Sequence, residues 1–133
     1  MKDIERLVFN PIAKAVREQF PGAFVTGEYV HVPSQFPHVS ITESDNYVTR
    51  THLDTSDTER FATVMYEVNV YSNKAGGKKS ECRAIMDLID SMMYSMNLTR
   101  IVMTPVPNMQ DASIYRLTAR YSAETDGTTL YRT

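Results

Sequence analysis

A change of period in the middle of the chain constrains the fold more than any other feature. Residues 61–72 alternate, with Ala62, Val64, Tyr66, Val68 and Val70 on one face and Thr63, Glu67 and Asn69 on the other. A two-residue period puts successive side chains on opposite sides of an extended backbone, so this stretch reads as a half-buried strand. Residues 73–79 break the alternation with glycine and lysine. Cys82, Ile85, Met86, Ile89, Met92, Met93 and Met96 then recur at steps of three and four, the period of an amphipathic helix. The strand and helix, joined by a short turn, expose one apolar side each and must share a core.

The remaining segments supply partners for that unit. Ile4, Leu7, Val8, Pro11, Ile12, Ala15, Val16 and Phe20 fall on one side of an opening helix, with Asp3 suited to its N-cap. Pro11 lacks a backbone donor, so it either bends this helix or opens a second segment capped by Asn10; the continuous stripe favours one bent helix. Pro21 and Gly22 end it. Residues 23–30 read as a short strand with a bulge at Gly27. Residues 36–43 read as another strand, with Val39 and Ile41 facing one way and His38, Ser40 and Thr42 the other, and Pro37 marking a strand end or sheet edge.

Beyond the central helix, residues 98–106 form a strand that Pro105 and Pro107 stop. Residues 108–111 turn the chain, and residues 112–123 alternate strongly: Tyr115, Leu117, Ala119 and Tyr121 against Arg116, Thr118 and Arg120. Asp126 and Gly127 signal a turn before a terminal strand at 128–132, which pairs at home or with a neighbouring subunit. The class implied is α+β: a largely antiparallel sheet with two helices packed on one face, a single domain over residues 1–133.

Residues 44–60 interrupt this pattern. They are rich in threonine and aspartate, with Tyr47, Val48 and Leu53 as the large apolar groups, too few to bury their own backbone. The expectation is a mobile segment, either a plain flexible loop or an arm ordered against a neighbour through those three anchors. The tail after Asp126 is a second candidate arm.

Composition limits the function classes. A chain of 133 residues with 42% hydrophobic and 23% charged residues can bury a core without metals or disulfides. A net charge of −2 provides no general field for nucleic acid. The single cysteine, Cys82, lies on the apolar helix stripe, which rules out a disulfide framework and fits a reducing cytoplasm. No stretch approaches the length needed to span a membrane, and the charged start does not resemble a signal peptide.

Candidate chemistry is thin. His31, His38 and His52 lack the spacing of a metal-binding helix. Asp87 and Asp90 could join Glu67 as the carboxylates of a small metal-dependent nuclease, but acids on the outer face of an amphipathic helix need no such role. The run Gly76, Gly77, Lys78, Lys79, Ser80 before a helix lacks the full phosphate-loop spacing and reads as a turn. No catalytic residue, cofactor or metal site is assigned. Arg116 and Arg120 project from one strand face as a basic stripe. They either pair with cross-strand acids such as Glu67 or line a channel through which DNA passes, held by phosphate contacts without sequence information.

Val8, Phe9 and Asn10 in the opening helix are followed by Phe20, Pro21 and Gly22 with Thr26 to Val30, and by Phe36 and Pro37. The run Tyr66 to Asn73, then Pro105 to Met109 and Tyr115 to Tyr121, complete the series. These signatures carry a resemblance to the small tail-terminator or tail-completion proteins of long-tailed bacteriophages and prophages. It covers nearly the whole chain in order, on sheet and turn signatures without a catalytic motif. It implies a structural, non-enzymatic α+β subunit that assembles into a homo-oligomeric ring, commonly a hexamer. Such a ring caps the head-proximal end of the tail tube and joins the tail to the head. The implied partners are further copies of itself, the tail tube protein and a head-completion or connector protein, with non-specific contact to passing DNA. The implied location is the virion, after synthesis in the bacterial host cytoplasm. A head-completion or connector adaptor from the same region of the virion would share these features. The metal-dependent nuclease, and a monomeric adaptor that binds a peptide along a sheet edge, are the readings from other classes.

Overall fold

The computed structural model describes residues 4–28, 33, 35–48, 62–107 and 113–132. Its elements follow the order α1 (Glu5–Gln19), β1 (Phe24–Thr26), β2 (His38–Val48), β3 (Ala62–Ser72), α2 (Lys78–Ser95), β4 (Thr99–Val106), β5 (Tyr115–Thr125) and β6 (Leu130–Tyr131). The strands form one sheet in the order β1-β2-β3-β5-β4, with β6 pairing the end of β5. Only the β1–β2 pair is parallel. The α+β class with two helices on one face of a largely antiparallel sheet is therefore the observed architecture.

The alternation of the central strand decides which face the helices cover. Val64, Tyr66, Val68 and Val70 of β3 are fully buried in one cluster with Leu117, Ala119, Tyr121 and Ala123 of β5 and with Val39 and Ile41 of β2. Helix α2 contributes Cys82, Ile85, Met86, Ile89 and Met93 to the same cluster, and α1 contributes Val8, Ile12, Ala13 and Val16. Met92 and Met96, read as core from their spacing, pack only partly buried at its margin.

Helix α1 runs unbroken through Pro11. Leu7 and Pro11, expected on the apolar stripe, lie exposed instead, with Leu7 at 49%. That placement explains the tolerance: the carbonyl four residues before a proline loses its helical donor, and on the solvent side water replaces it.

Helix α2 ends in a Schellman motif that the sequence reading did not include. Asn97 adopts the left-handed conformation at φ 69°, its N–H donates to the Tyr94 carbonyl at 3.0 Å, and the Leu98 N–H reaches back to the Met93 carbonyl at 2.9 Å. Leu98 and Met93 are both buried, the apolar contact that accompanies this motif. The stop turns the chain directly into β4.

Cys82 is fully buried on α2, with its sulfur 3.5 Å from the carbonyl oxygens of Val70 and Tyr115. Burial, and secondarily the neighbouring Glu81 charge, push its thiol up to about 12. Because the thiolate is the nucleophile, the folded protein is expected to resist alkylation by iodoacetamide at pH 8, with one equivalent of label taken up only in denaturant. Labelling of native protein at the rate of a free thiol would contradict this burial.

Candidate functional site: the polar sheet face

The face of the sheet turned away from the helices is built from the residues that alternate out of the core. Cross-strand register sets them in rungs: His38, Tyr71 and Arg116 across β2, β3 and β5, then Ser40, Asn69 and Thr118, then Thr42, Glu67 and Arg120. The two arginines singled out from the sequence thus share a face, four residues apart on β5 with Thr118 between them. Both are engaged. Arg120 lies 3.5 Å from the Glu67 carboxylate, with its side chain 54% exposed. Arg116 donates from Nε to the Asn69 amide oxygen at 2.9 Å and sits 5.6 Å from the centre of the Tyr71 ring. Of the two readings of the stripe, cross-strand pairing is the one in place within the subunit. The exposed Arg120–Glu67 pair is worth at most about 1 kcal/mol and is readily exchanged for another anion.

One end of this face is not solvated as its alternation suggested. Asn69 is fully buried, and Thr118 is close to it. Asn69 Oδ1 accepts from Arg116 and from the Thr118 hydroxyl at 2.7 Å, which fixes the amide orientation because arginine can only donate. His38 is 2% exposed, with its ring 5.2 Å from Phe24 and 5.8 Å from Tyr71. Neither His38 ring nitrogen, nor Asn69 Nδ2, has a hydrogen-bond partner among the described residues. Burial lowers the His38 pKa below its ordinary value. The sequence carried no signal for this polar–aromatic cluster, because it depends on the register that sets Phe24 of β1 and Tyr71 of β3 on either side of His38 of β2.

The proposed arm divides at Val48. Residues 44–48, expected to be mobile, continue β2 and pair with β3 through Asp45 with Met65, Asn46 with Val64, Tyr47 with Thr63 and Val48 with Ala62. The register slips between Glu43 and Asp45. This irregularity inserts a residue and exchanges the faces, which is why alternation read from 36–43 fails just where the strand goes on. Tyr47 is 50% exposed as a result. Leu53 and the rest of 49–61 lie outside the described residues. The other candidate arm, the tail after Asp126, pairs within its own chain as β6 against Glu124 and Thr125.

A dense turn fastens that tail. Asp126 Oδ1 accepts from the backbone N–H groups of Thr128 and Thr129 and from the Thr128 hydroxyl, and Oδ2 accepts from Tyr131. Those donors, Thr128 first, hold its carboxyl well below the usual carboxylate range. Arg132 donates to the Tyr94 carbonyl at the end of α2 and stacks 4.1 Å from the Tyr94 ring centre. Asp126→Ala is expected to free β6 while leaving the core intact: amide exchange at Leu130 and Tyr131 should rise to that of a frayed terminus, with β3 protection unchanged. Undiminished protection at 130–131 would show that the turn is not what holds the strand.

The three acids considered for a nuclease are not brought together. Glu67 projects from the face away from the helices toward Arg120, whereas Asp87 and Asp90 lie on α2, across the sheet. Asp90 accepts the Tyr121 hydroxyl at 2.8 Å and lies 3.5 Å from Arg100. Burial and that carboxylate raise the Tyr121 phenol above its ordinary range. Arg83, Asp87, Asp90 and Arg100 rim a cleft of about 350 Å³ over Met103, Pro105 and Leu117. Among the described residues no group of three or more acidic, histidine or cysteine side chains could hold a metal ion. His31 and His52 lie outside them. The start of α2, weighed as a phosphate loop, has Glu81 in its first turn, bound by the Ser72 hydroxyl at 2.7 Å.

At one end of the sheet β1 pairs β2 over His38 to Ser40, and the Ser40 hydroxyl donates to the Glu28 carbonyl just beyond it. At the other end the described partner of β4 is β5, with Ile101 53% and Val102 40% exposed. No helix among the described residues is long and apolar enough to cross a membrane. Compared with known proteins, the chain matches no family model and no curated protein.

Proposed function

We propose that this chain is a structural subunit of a long-tailed phage or prophage tail: a tail terminator that assembles into a ring at the head-proximal end of the tail tube and joins it to the head. The reading rests on the resemblance of its sheet and turn signatures to that family. The observation that carries it in the fold is the division of labour in the sheet. One face is consumed by two helices, the other is a polar surface with Glu67, Arg116 and Arg120, and among the described residues no strand pairs the outer side of β4. An assembly subunit needs outward-facing edges and a polar surface, and its backbone groups at those edges find partners on association. In such a ring the Arg120–Glu67 surface faces passing DNA, where phosphate replaces the carboxylate as the partner of Arg120.

The nuclease reading loses its support with the separation of Glu67 from Asp87 and Asp90 by the thickness of the sheet. The terminator reading is tested by solution mass across a wide concentration range, together with antibody labelling of particles. A closed oligomer, with label at the head end of the tail tube, is the expected result. A monomer at all concentrations that labels no particle overturns it, and label on the head alone replaces it with the connector reading.

A further inference from the structure

We propose that Arg116 is a phosphate-binding group on the sheet face away from the helices, with Asn69 and Tyr71 as its positioning residues. The inference rests on the reading in which this face meets DNA, and names the contact.

The guanidinium of Arg116 is held on two sides by groups that leave its charge in place. Its Nε donates to Asn69 Oδ1 at 2.9 Å, and its Cζ stands 5.6 Å from the centre of the Tyr71 ring, within cation–π range. Both supports are themselves fixed. Asn69 is fully buried and its Oδ1 also accepts from the Thr118 hydroxyl at 2.7 Å, while Tyr71 is 1% exposed with the His38 ring against it. Cross-strand register lines them up, Tyr71 opposite Arg116 and Asn69 opposite Thr118 on the next rung. A guanidinium fork fixed in this way gives up little freedom when it meets the paired oxygens of an oxyanion.

The charge is also uncompensated. The partners of Arg116 are a neutral amide and a phenol ring, and no described residue bonds its Nη nitrogens. Arg120 differs, because its Nη2 faces the Glu67 carboxylate at 3.5 Å and an incoming anion must displace that acid. Glu67 lies four residues along β3 from Tyr71, about 13 Å away, and does not pair with Arg116. Asn69 adds a donor on the same amide group, since its Nδ2 is buried without a partner. Partial burial of Arg116 strengthens its attraction for an anion relative to open solvent. Phosphate rather than a lone carboxylate is indicated by repetition: Arg120 follows four residues on with Thr118 between, a spacing suited to a ligand that repeats its charge. A nucleic-acid backbone and a free phosphate offer the same oxygens.

Two probes separate those sources. Binding of a labelled DNA duplex of mixed sequence is followed by fluorescence anisotropy at low salt, and binding of inorganic phosphate by the rise in thermal midpoint over chloride at equal ionic strength. Arg116→Gln is expected to weaken duplex binding about tenfold, and Arg116→Lys to recover only part of it, because an ammonium keeps the charge without the fork. Asn69→Asp tests the neutral partner: it keeps the shape but sets a carboxylate against Arg116, and should lose binding as Arg116→Gln does. Replacing Arg120 and Glu67 together by glutamine, which leaves the net charge unchanged, should cost less. Circular dichroism confirms that each variant is folded. Arg116-dependent binding of the duplex assigns the site to a nucleic-acid backbone. An Arg116-dependent response to inorganic phosphate alone keeps the site and removes DNA from this face. Undiminished binding by folded Arg116→Gln or Asn69→Asp, or a parent protein that binds neither probe, overturns the inference, and a closed ring found with that result leaves the terminator reading standing. A monomer that labels no particle but binds through Arg116 does the reverse.

Discussion

Ile89→Ala is expected to destabilise the protein by about 3 kcal/mol, the middle of the range for truncating a fully buried isoleucine. Ile89 is completely buried at the centre of α2 and belongs to the cluster that joins both helices to β2, β3 and β5. Its removal forfeits the transfer free energy of three carbons and leaves a cavity that neighbours on a rigid sheet cannot fill. Urea denaturation should show a lower midpoint at unchanged slope, and the thermal midpoint should fall by about 10 °C for a chain of this length. Asp87→Ala, two residues away and therefore on the exposed side of the same helix, should change stability by no more than about 0.5 kcal/mol. Equal effects from the two variants would mean that α2 is not seated on the sheet by the side identified here.

Acid should weaken the fold through His38, and His38→Phe should remove that sensitivity. Burial lowers the folded-state pKa of His38 from its ordinary value of 6.5. Between those two values the unfolded chain binds a proton that the folded chain does not, so stability falls as pH drops below about 6.5 and levels off below the folded pKa. One histidine contributes a slope of at most about 1.4 kcal/mol per pH unit in that window. The ring nitrogens have no partner among the described residues and stand between Phe24 and Tyr71, so phenylalanine fills the position without leaving a buried polar group. His38→Phe should equal or exceed the parent in stability at pH 7 and lose less of it between pH 6.5 and 5. The informative quantity is the difference between the two pH profiles, since carboxylates common to both cancel. Parallel profiles would place the His38 proton outside the folding equilibrium.

These two positions also mark the limit of sequence reasoning for this chain. Ile89 was legible because a helix repeats every three or four residues, and nothing outside residues 82–96 was needed to place it on the buried side. His38 was not legible. Its alternation assigned it to a solvated face, and only the neighbouring registers, Phe24 beside it and Tyr71 opposite, enclose it. Asn69 shares that history: a polar residue at a nominally outward position becomes a buried acceptor for Arg116 and Thr118 because of where β5 lies.

The same distinction runs through the candidate site. The placement of Arg116 and Arg120 on one face followed from the two-residue period of a strand, their separation of four being two repeats, and their partners followed from cross-strand register. Residues 44–48, assigned to the mobile segment, belong to β2 because the slip between Glu43 and Asp45 hides a continuing strand from any test of alternation. The terminal strand offered two mates, and Asp126 with Arg132 selects the one at home.

By itself the sequence determined the elements, their periods and the faces that must be buried, because those are properties of a backbone repeating locally under the pressure to remove apolar surface from water. It also determined the class, since a strand and a helix with one apolar side each can be satisfied only in layers. The tertiary structure alone decided which strand lies beside which, and hence the cluster around His38 and the separation of Glu67 from Asp87 and Asp90. Those depend on contacts between residues far apart in the chain, whose pairing is fixed only by the packing of the whole sheet.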